Sequence, residues 1–292
     1  ELLFTTNTSK GDIMASKVWL LSLISASILA GCVSNSTKMD KADVTSIDKT
    51  NTQFAASFSK QGSVLPYDVL RNDLIDAKTN TSFEIRNGGF GSAMTANPNK
   101  VNQFYALTDR GPNANYTGDY GKGKSFPVAS YTPRIGLFEV ADNGDVIMLQ
   151  SILLKTPQGA LISGLPNTSA LGGTGETPYH ANGQPVLMDD SQPYNKVTNP
   201  IKLDDYGLDG EGLVALKDGT FWVSDEYGPH IVHFNANGVE IGRINAFKKD
   251  ERDTFHLPAV FQHRRANRGM EGLAITPDEN TLVGIMQSTM KN

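Results

Sequence analysis

Hydrophobic and polar positions form two short strand-like runs between residues 208 and 230. Residues 214–216 and 220–223 are β-branched, aromatic or apolar, which is typical of strands packed in a sheet. Asp218-Gly219 separates the runs, and glycine accepts the positive φ that a two-residue hairpin turn requires. The pattern therefore predicts an antiparallel β-hairpin.

Acidic residues flank both runs of this hairpin. Asp209 and Glu211 precede the first run, and Asp225 and Glu226 follow the second. An antiparallel hairpin places the start of its first strand beside the end of its second. We therefore expect the four carboxylates to collect at one rim of a sheet.

The same unit recurs twice more along the chain. Residues 268–288 carry Glu271 before a Gly-Leu pair, as the first hairpin carries Glu211. Residues 88–113 contain Asp109-Arg110 near their end, at the position equivalent to Asp225-Glu226. The earliest unit departs from the pattern, because Phe90 stands where the later units have an acid.

Two of the units continue into a second predicted hairpin with an Asn-Gly turn. These hairpins comprise residues 135–140 with 146–154, and residues 231–234 with 239–244. Four antiparallel strands per repeat are typical of a β-propeller blade. We therefore predict an all-β chain built as a β-propeller of four-stranded antiparallel blades. A plain β-sandwich with coincidental turns is the alternative.

Three segments in this region carry a family resemblance: FYALTDRGPN, LDGEGLVALKDGTFWVSDEYGPH and NRGMEGLAITPDENTL. They resemble the signature segments of the phytase-like family, bacterial proteins described as having esterase-like activity of phytase. The likeness runs from about residue 88 to the end of the chain. The resemblance implies a six- or seven-bladed propeller, a secreted or lipid-anchored location, and hydrolysis of ester or phosphoester bonds.

The N-terminal residues resemble a bacterial lipoprotein signal. A short basic segment at residues 14–17 precedes an apolar core at residues 18–28, and Leu-Ala-Gly then leads to Cys32. Cys32 is the single cysteine, so no intramolecular disulfide can form, and we expect it to be lipidated. Val33 follows in place of an aspartate, which favours sorting to the outer membrane, facing the periplasm or the cell surface.

The remaining chain divides into a tether and one folded domain. Residues 1–31 comprise upstream residues and the signal peptide, and residues 32–62 are polar enough to predict a flexible, lipid-anchored tether. Residues 63–292 form the propeller domain, with room for about five blades at roughly 45 residues each. The final strand pattern, residues 281–288, has no following hairpin. We therefore expect a propeller that is incomplete at its C-terminus, with an open sheet edge and no activity as a fragment.

Composition and the missing motifs exclude several functions. The net charge of −5, without a basic tract, argues against a nucleic-acid partner, and we expect a monomer. No Walker loop, G-x-S-x-G elbow or H-E-x-x-H motif is present, which argues against P-loop, α/β-hydrolase and zincin chemistry. Residues 156–206 form a long insertion with little strand pattern. It is either a lid or rim over a site, or a solvated excursion.

Clustered carboxylates are hard oxygen ligands that suit Ca²⁺. The candidate metal ligands are Asp109, Asp209, Glu211, Asp225, Glu226 and Glu271. A bound Ca²⁺ would polarise a phosphoryl or acyl oxygen and lower the pKa of an attacking water. The alternative is that individual acids cap turns or hold neighbouring strands by accepting backbone N–H bonds.

Two arginines and one histidine complete the candidate catalytic set. Arg110 and Arg268 could form paired hydrogen bonds with a substrate phosphate or carboxylate, or could simply pair with Glu226 and Glu271. His230 could act as a general acid or base, or could be structural. The candidate catalytic residues are Asp109, Arg110, Glu211, His230, Arg268 and Glu271.

Two hypotheses for the function follow. The first is a secreted or lipid-anchored hydrolase that holds Ca²⁺ at the propeller rim and cleaves a small-molecule ester or phosphoester. The second is a non-catalytic propeller on the cell envelope that binds a metabolite or an envelope polymer, since a fold alone does not fix an activity.

Overall fold

The computed structural model describes residues 3–7, 64–228, 230–247 and 250–291, with residues 3–7 described through their backbone alone. The predicted upstream residues other than 3–7, the predicted signal peptide, the tether and Cys32 lie outside the described residues. Within the described ranges, no helix is both long and apolar enough to cross a bilayer.

The described chain is all-β, as predicted, with two short 3₁₀ segments at Ser169–Leu171 and Ala259–His263. The strands are β1 (Leu3–Asn7), β2 (Val69–Ile75), β3 (Ser82–Arg86), β4 (Ala93–Ala96), β5 (Gln103–Leu107), β6 (Ala114–Gly118), β7 (Gly121–Ser125), β8 (Arg134–Val140), β9 (Val146–Leu153), β10 (Thr177–Tyr179), β11 (Gly210–Ala215), β12 (Phe221–Asp225), β13 (Ile231–Phe234), β14 (Glu240–Asn245), β15 (Asp253–His256), β16 (Met270–Ile275) and β17 (Thr281–Met286).

The first two repeats each form a four-stranded antiparallel unit, as their hairpin patterns predicted. The first unit is the sheet β4-β5-β8-β9. The second is β11-β12-β13-β14, which gains β15 as a fifth, parallel strand. Gly219 and Gly238 have φ angles of 86° and 75° in the two hairpin turns of the second unit, a conformation that favours glycine.

The third unit is the hairpin of β16 and β17. The sequence predicted an open edge on its second strand. In the structure that edge pairs antiparallel with β1, with Leu3 opposite Ile285 and Asn7 opposite Thr281. The sheets do not close on one another among the described residues.

The three units lie side by side through their first strands. β11 lies between β4 and β16, so the second unit has a neighbour on each face. Leu213 and Val223 pack towards the first unit, whereas Val214 and Trp222 pack towards the third. Alternate residues of a strand point to opposite faces, so coverage of both faces explains why every residue of β12 is buried.

The insertion packs against the rest of the chain instead of projecting into solvent. β10 pairs in parallel with β7, and a small core of Phe126, Leu165 and Val186 lies beneath it. The side-chain amide of Asn167 donates to the carbonyl oxygens of Asp204 and Gly207, both at 2.9 Å, and so closes the base of the insertion. The insertion is therefore a structured part of the domain.

A buried ion pair inside the second unit generates a stability prediction. Nε and Nη2 of Arg243 donate to the two carboxylate oxygens of Glu240, each at 2.9 Å, and both side chains are almost fully enclosed. Arg243→Met leaves the Glu240 carboxylate without its cation, so we expect the free energy of unfolding to fall by about 3–5 kcal/mol. Urea denaturation of the two proteins measures the loss.

The pair of exposed Lys217 and half-buried Glu279, separated by 3.8 Å, provides the matched control. Lys217→Met should change the free energy of unfolding by less than about 1 kcal/mol, because exposed ion pairs contribute little. Replacing both Glu240 and Arg243 with uncharged residues should be less destabilising than Arg243→Met alone. Equal, small effects of Arg243→Met and Lys217→Met would show that the buried pair does not hold the sheet.

Candidate functional site

Three carboxylates from two neighbouring units meet at one rim of the sheets. Asp109 lies just beyond the end of β5, and Asp209 and Glu211 lie at the start of β11. One carboxylate oxygen from each residue lies within 4.8 Å of the others. Asp209 is almost fully buried, whereas Asp109 and Glu211 are half-buried, so the group opens towards solvent on one side.

A β-bulge positions Glu211 and its repeat partner Glu271. The register of β11 against β12 shifts between Gly210 and Gly212, and that of β16 against β17 shifts between Met270 and Gly272. In each case the acid is the extra residue, which a bulge directs out of the regular alternation of a strand. The two bulges are equivalent by repeat, so the acids leave their strands at matching positions.

Asp225 has a structural role. Its carboxylate accepts the backbone N–H of Asp209 and that of Gly228, both at 2.8 Å, and the side chain is fully buried. Burial raises the pKa of Asp225 to about 6, although the two amide hydrogen bonds act in the opposite direction. Both oxygens are engaged by backbone amides, so Asp225 holds the strand ends together and fixes the position of Asp209.

The carboxylates of Glu226 and Glu271 interact electrostatically with the three carboxylates of Asp109, Asp209 and Glu211. Burial, followed by the charges of Asp109, Glu271 and Glu226, raises the pKa of Glu211 to about 8. Burial and the charge of Glu271 likewise raise the pKa of Glu226 to about 7, against the effect of its contact with Asp209. Five carboxylates therefore lie close enough to disfavour one another's ionised forms.

Arg110 is the cation built into this cluster. Its Nη1 lies 2.7 Å from Oδ2 of Asp209 and donates to Oδ1 of Asn267 at 3.0 Å. Its guanidinium also lies 5.2 Å from the centre of the Tyr227 ring. The sequence suggested Glu226 as one partner for Arg110, but the structure pairs it with Asp209 instead. Arg110 is buried among protein partners and is positioned to hold Asp209.

Asp209 keeps unsatisfied acceptors despite this ion pair. Neither of its oxygens accepts a well-directed hydrogen bond from the described residues. Burial raises the pKa of Asp209 well above its usual value, and contact with the Asp109 carboxyl raises it further, while Arg110 opposes both. Buried carboxylate oxygens without donors are unfavourable unless a proton or a cation reaches them.

The two remaining predicted catalytic residues lie in opposite environments. Arg268 is exposed just before β16. His230 is fully buried, and its Nε2 lies 3.1 Å from the carbonyl oxygen of Leu171 in the insertion. Burial, together with the charges of Arg243 and Arg252, lowers the pKa of His230 well below its usual value, so the ring is neutral. A neutral, enclosed imidazole fits the structural alternative that the sequence left open.

The sequence left open whether the insertion forms a rim over a site, but it did not identify Tyr227 and Gly164 as the residues that join the insertion to the cluster. The hydroxyl of Tyr227 donates to the carbonyl oxygen of Gly164 at 2.6 Å. The backbones of Gly164 and Arg110 touch so closely that a Cβ on Gly164 would lie 1.7 Å from the Arg110 oxygen. Burial raises the pKa of Tyr227 well above its usual value, with a smaller contribution from Glu176 of the insertion. The glycines of the insertion were the one sequence signal for this close approach.

The donor set fits a divalent cation. Asp109, Asp209 and Glu211 offer hard oxygen ligands close together, and neither buried oxygen of Asp209 accepts a well-directed hydrogen bond from the described residues. A cation there would relieve the repulsion that raises the pKa of Glu211. The arrangement can therefore bind a metal ion such as Ca²⁺ or Mg²⁺, both of which prefer oxygen ligands.

A family model described as "Phytase-like: Esterase-like activity of phytase" matches residues 85–292. The chain belongs to the phytase-like family. The match confirms the resemblance read from the three signature segments, and the family description indicates a hydrolase-type activity. All five clustered carboxylates lie inside the matched region of this phytase-like chain.

A further comparison matches a fungal protein. A segment of 104 residues is 34% identical to a protein of Arthroderma benhamiae named "Uncharacterized secreted protein". The similarity covers 29% of this phytase-like chain and 20% of the fungal protein, so the chain spans about a fifth of the length of that relative.

The raised pKa of Glu211 generates a pH prediction for the metal-free phytase-like chain. Unfolded Glu211 loses its proton near its ordinary pKa of 4.5, whereas the folded protein keeps that proton until about pH 8. The folded state therefore binds more protons across this window, so its stability should decrease as pH rises from about 4.5 to 8. Urea midpoints measured in a chelator across that pH range should show the decrease.

Glu211→Gln should flatten this pH dependence, because glutamine carries no proton to lose. Asp142→Asn is the matched control, since Asp142 is an exposed acid in the turn between β8 and β9. The interpretation would be wrong if Glu211→Gln and Asp142→Asn both left the pH dependence of the wild-type chain unchanged.

Proposed function

We propose that this chain forms the carboxylate-lined face of a Ca²⁺-dependent hydrolase that cleaves ester or phosphoester bonds of a small molecule. The observation that carries the proposal is the convergence of Asp109, Asp209 and Glu211 within 4.8 Å of one another. These residues come from two separate repeats, so the fold itself brings them together. Membership of the phytase-like family supports hydrolysis as the reaction class.

The proposed architecture is a β-propeller whose axis lies along the first strands of the units. β4, β11 and β16 lie next to one another, and each begins at the rim where the acids collect. Separate hydrophobic cores fill the spaces between the first and second units and between the second and third. Side-by-side four-stranded units with cores between them are the packing expected of neighbouring blades.

Asp109, Asp209 and Glu211 would hold the cation. When bound, Ca²⁺ would polarise a phosphoryl or acyl oxygen and lower the pKa of a nearby water. Arg110 and the backbone-bound Asp225 keep Asp209 in place through the 2.7 Å ion pair and the 2.8 Å amide hydrogen bond. Their contribution is to preorganise the ligands before substrate arrives.

Three further residues supply the groups that substrate would meet. Glu226 and Glu271 lie beside the three-carboxylate group without belonging to it, and they are the residues proposed to accept or donate a proton. Arg268 is exposed beside Glu271's strand and is the cation proposed to orient a substrate phosphate or carboxylate through paired hydrogen bonds.

The proposed location is the bacterial cell envelope, with the chain attached to the outer membrane through a lipid on Cys32. The lipobox-like segment before Cys32 and the secreted fungal relative support export. The net charge of −5 supports a small-molecule substrate over nucleic acid, and the proposed form is a monomer.

Calcium binding to the purified chain tests the ligand set. Titration calorimetry at pH 7, in two buffers with different ionisation enthalpies, should show binding of one Ca²⁺ with release of protons. Protons leave because Glu211 holds one at this pH before the cation arrives. Glu211→Gln should weaken binding by about 10-fold or more, because it removes one charged ligand. Asp142→Asn should leave the affinity unchanged.

Turnover by the full-length protein tests the activity. Nitrophenyl phosphate, bis(nitrophenyl) phosphate and nitrophenyl acetate serve as substrates, with and without a calcium chelator. We expect cleavage that the chelator abolishes, and a loss of about 100-fold in kcat/KM for Glu271→Gln. Calcium binding without cleavage of any of the three would contradict the hydrolase and favour the binding propeller.

A further inference from the structure

A second cavity lies in the insertion, built by residues that take no part in the carboxylate cluster. Its volume is about 660 Å³, which falls within the range of about 300–1,000 Å³ usual for small-molecule sites. Tyr120 and Tyr194 line it, together with His180, Asn182 and Gln184. We refer to it as the insertion pocket.

The segment that leads into the insertion pocket is held in place by strand pairing. β10 pairs in parallel with β7, and the amide of Phe126 donates to the carbonyl oxygen of Tyr179 at 2.7 Å. Gly123 lies so close to the partner strand that a Cβ would be 1.8 Å from the carbonyl oxygen of Thr177. Only glycine fits at this position, so the sequence is adapted to the close approach of the insertion.

One buried side chain shapes the loop that carries Tyr194. Nδ2 of Asn199 donates to the carbonyl oxygens of Asp189, Gln192 and Pro193 at 2.9, 3.1 and 3.2 Å. Oδ1 of Asn199 accepts the amide of Asp189 at 2.9 Å. The loop is therefore fixed before any ligand arrives, which reduces the ordering entropy lost on binding.

The tyrosines present aromatic surface that the fold does not cover. The rings of Tyr120 and Tyr194 lie 4.7 Å apart between centres and are inclined by 59°. They remain 39% and 38% exposed. An aromatic ring at a pocket wall offers an apolar face, and its hydroxyl offers a hydrogen bond. A flat, weakly apolar ligand surface bordered by hydroxyl groups matches this combination.

The ionisable side chains at the insertion pocket already have polar partners. Nε2 of His180 lies 3.0 Å from Oδ2 of Asp190. Arg71, at the edge, donates from Nε and Nη2 to the carboxylate of Asp73, at 2.8 and 2.6 Å. With the charged groups paired, side-chain amides that both donate and accept hydrogen bonds remain at the pocket, from Asn182, Gln184 and Gln192. This lining suits many neutral hydroxyl groups better than several phosphates.

We propose that the insertion pocket binds an uncharged oligosaccharide. Sugar rings expose C–H faces that pack on aromatic side chains, and their hydroxyl groups both donate and accept hydrogen bonds, as the amides of the pocket require. The insertion pocket and the proposed calcium site share no residues. Glycan binding therefore does not depend on the proposed hydrolase activity. It would hold the domain on a polysaccharide surface.

Calorimetry and saturation-transfer NMR on the purified chain test this site. The probes are chitohexaose, maltohexaose and cellohexaose, with inositol hexakisphosphate as the charged comparison. At least one hexasaccharide should bind in the micromolar to millimolar range, whereas inositol hexakisphosphate should not compete with it. Tyr194→Ala should weaken binding by about 10-fold or more, because it removes one stacking face. Tyr194→Phe keeps the ring and should retain most of the affinity.

Two controls separate the pocket from the rest of the surface. Phe255→Ala removes an exposed aromatic ring outside the pocket, and Glu211→Gln alters the proposed calcium site. Neither substitution should change the glycan affinity, and a chelator should have no effect on it. The proposal is overturned if no hexasaccharide binds at millimolar concentration, or if Tyr194→Ala, with an unchanged melting temperature, binds as the wild type does.

Discussion

Mutual repulsion among carboxylates is the constraint on which the rim of this protein depends. Five acids lie within electrostatic reach of one another, and the pKa of Glu211 rises to about 8 as a result of burial and these charges. The fold opposes the repulsion with a buried ion pair from Arg110 to Asp209, and with two amide hydrogen bonds to Asp225. Clusters of carboxylates with strongly raised pKa values are typical of functional sites.

The sequence predicted the repeated units well, because their signals are local. Asp-Gly and Asn-Gly turns between apolar runs predicted both hairpins of the second unit and the second hairpin of the first, and the glycines at 219 and 238 do adopt positive φ. The run Phe221-Trp222-Val223 is continuously apolar, and the structure explains it by covering both faces of β12. Asp109, Asp209 and Glu211 lie at the strand ends of repeated units, and this placement in the sequence led to the expectation that their carboxylates would meet.

The remaining features depend on contacts between residues far apart in the chain, which local patterns do not encode. Arg110 reaches Asn267, 157 positions away, and so could not be assigned its partners from sequence. His230 is enclosed partly because the insertion covers it at Leu171. The bulges at Glu211 and Glu271 arise from pairing register, although the repeated Glu-Gly-Leu segment marks where they occur. The order within the insertion likewise depends on distant contacts, such as the hydrogen bonds from Asn167 to Asp204 and Gly207.

The most direct test of the central claim is the position of a bound metal ion. Crystals of the chain soaked in Tb³⁺, which takes oxygen ligands as Ca²⁺ does, would give an anomalous difference map. The account predicts one strong peak between the carboxylates of Asp109, Asp209 and Glu211. A map with no peak among these three residues, or with ordered ions only at other surface acids, would contradict it.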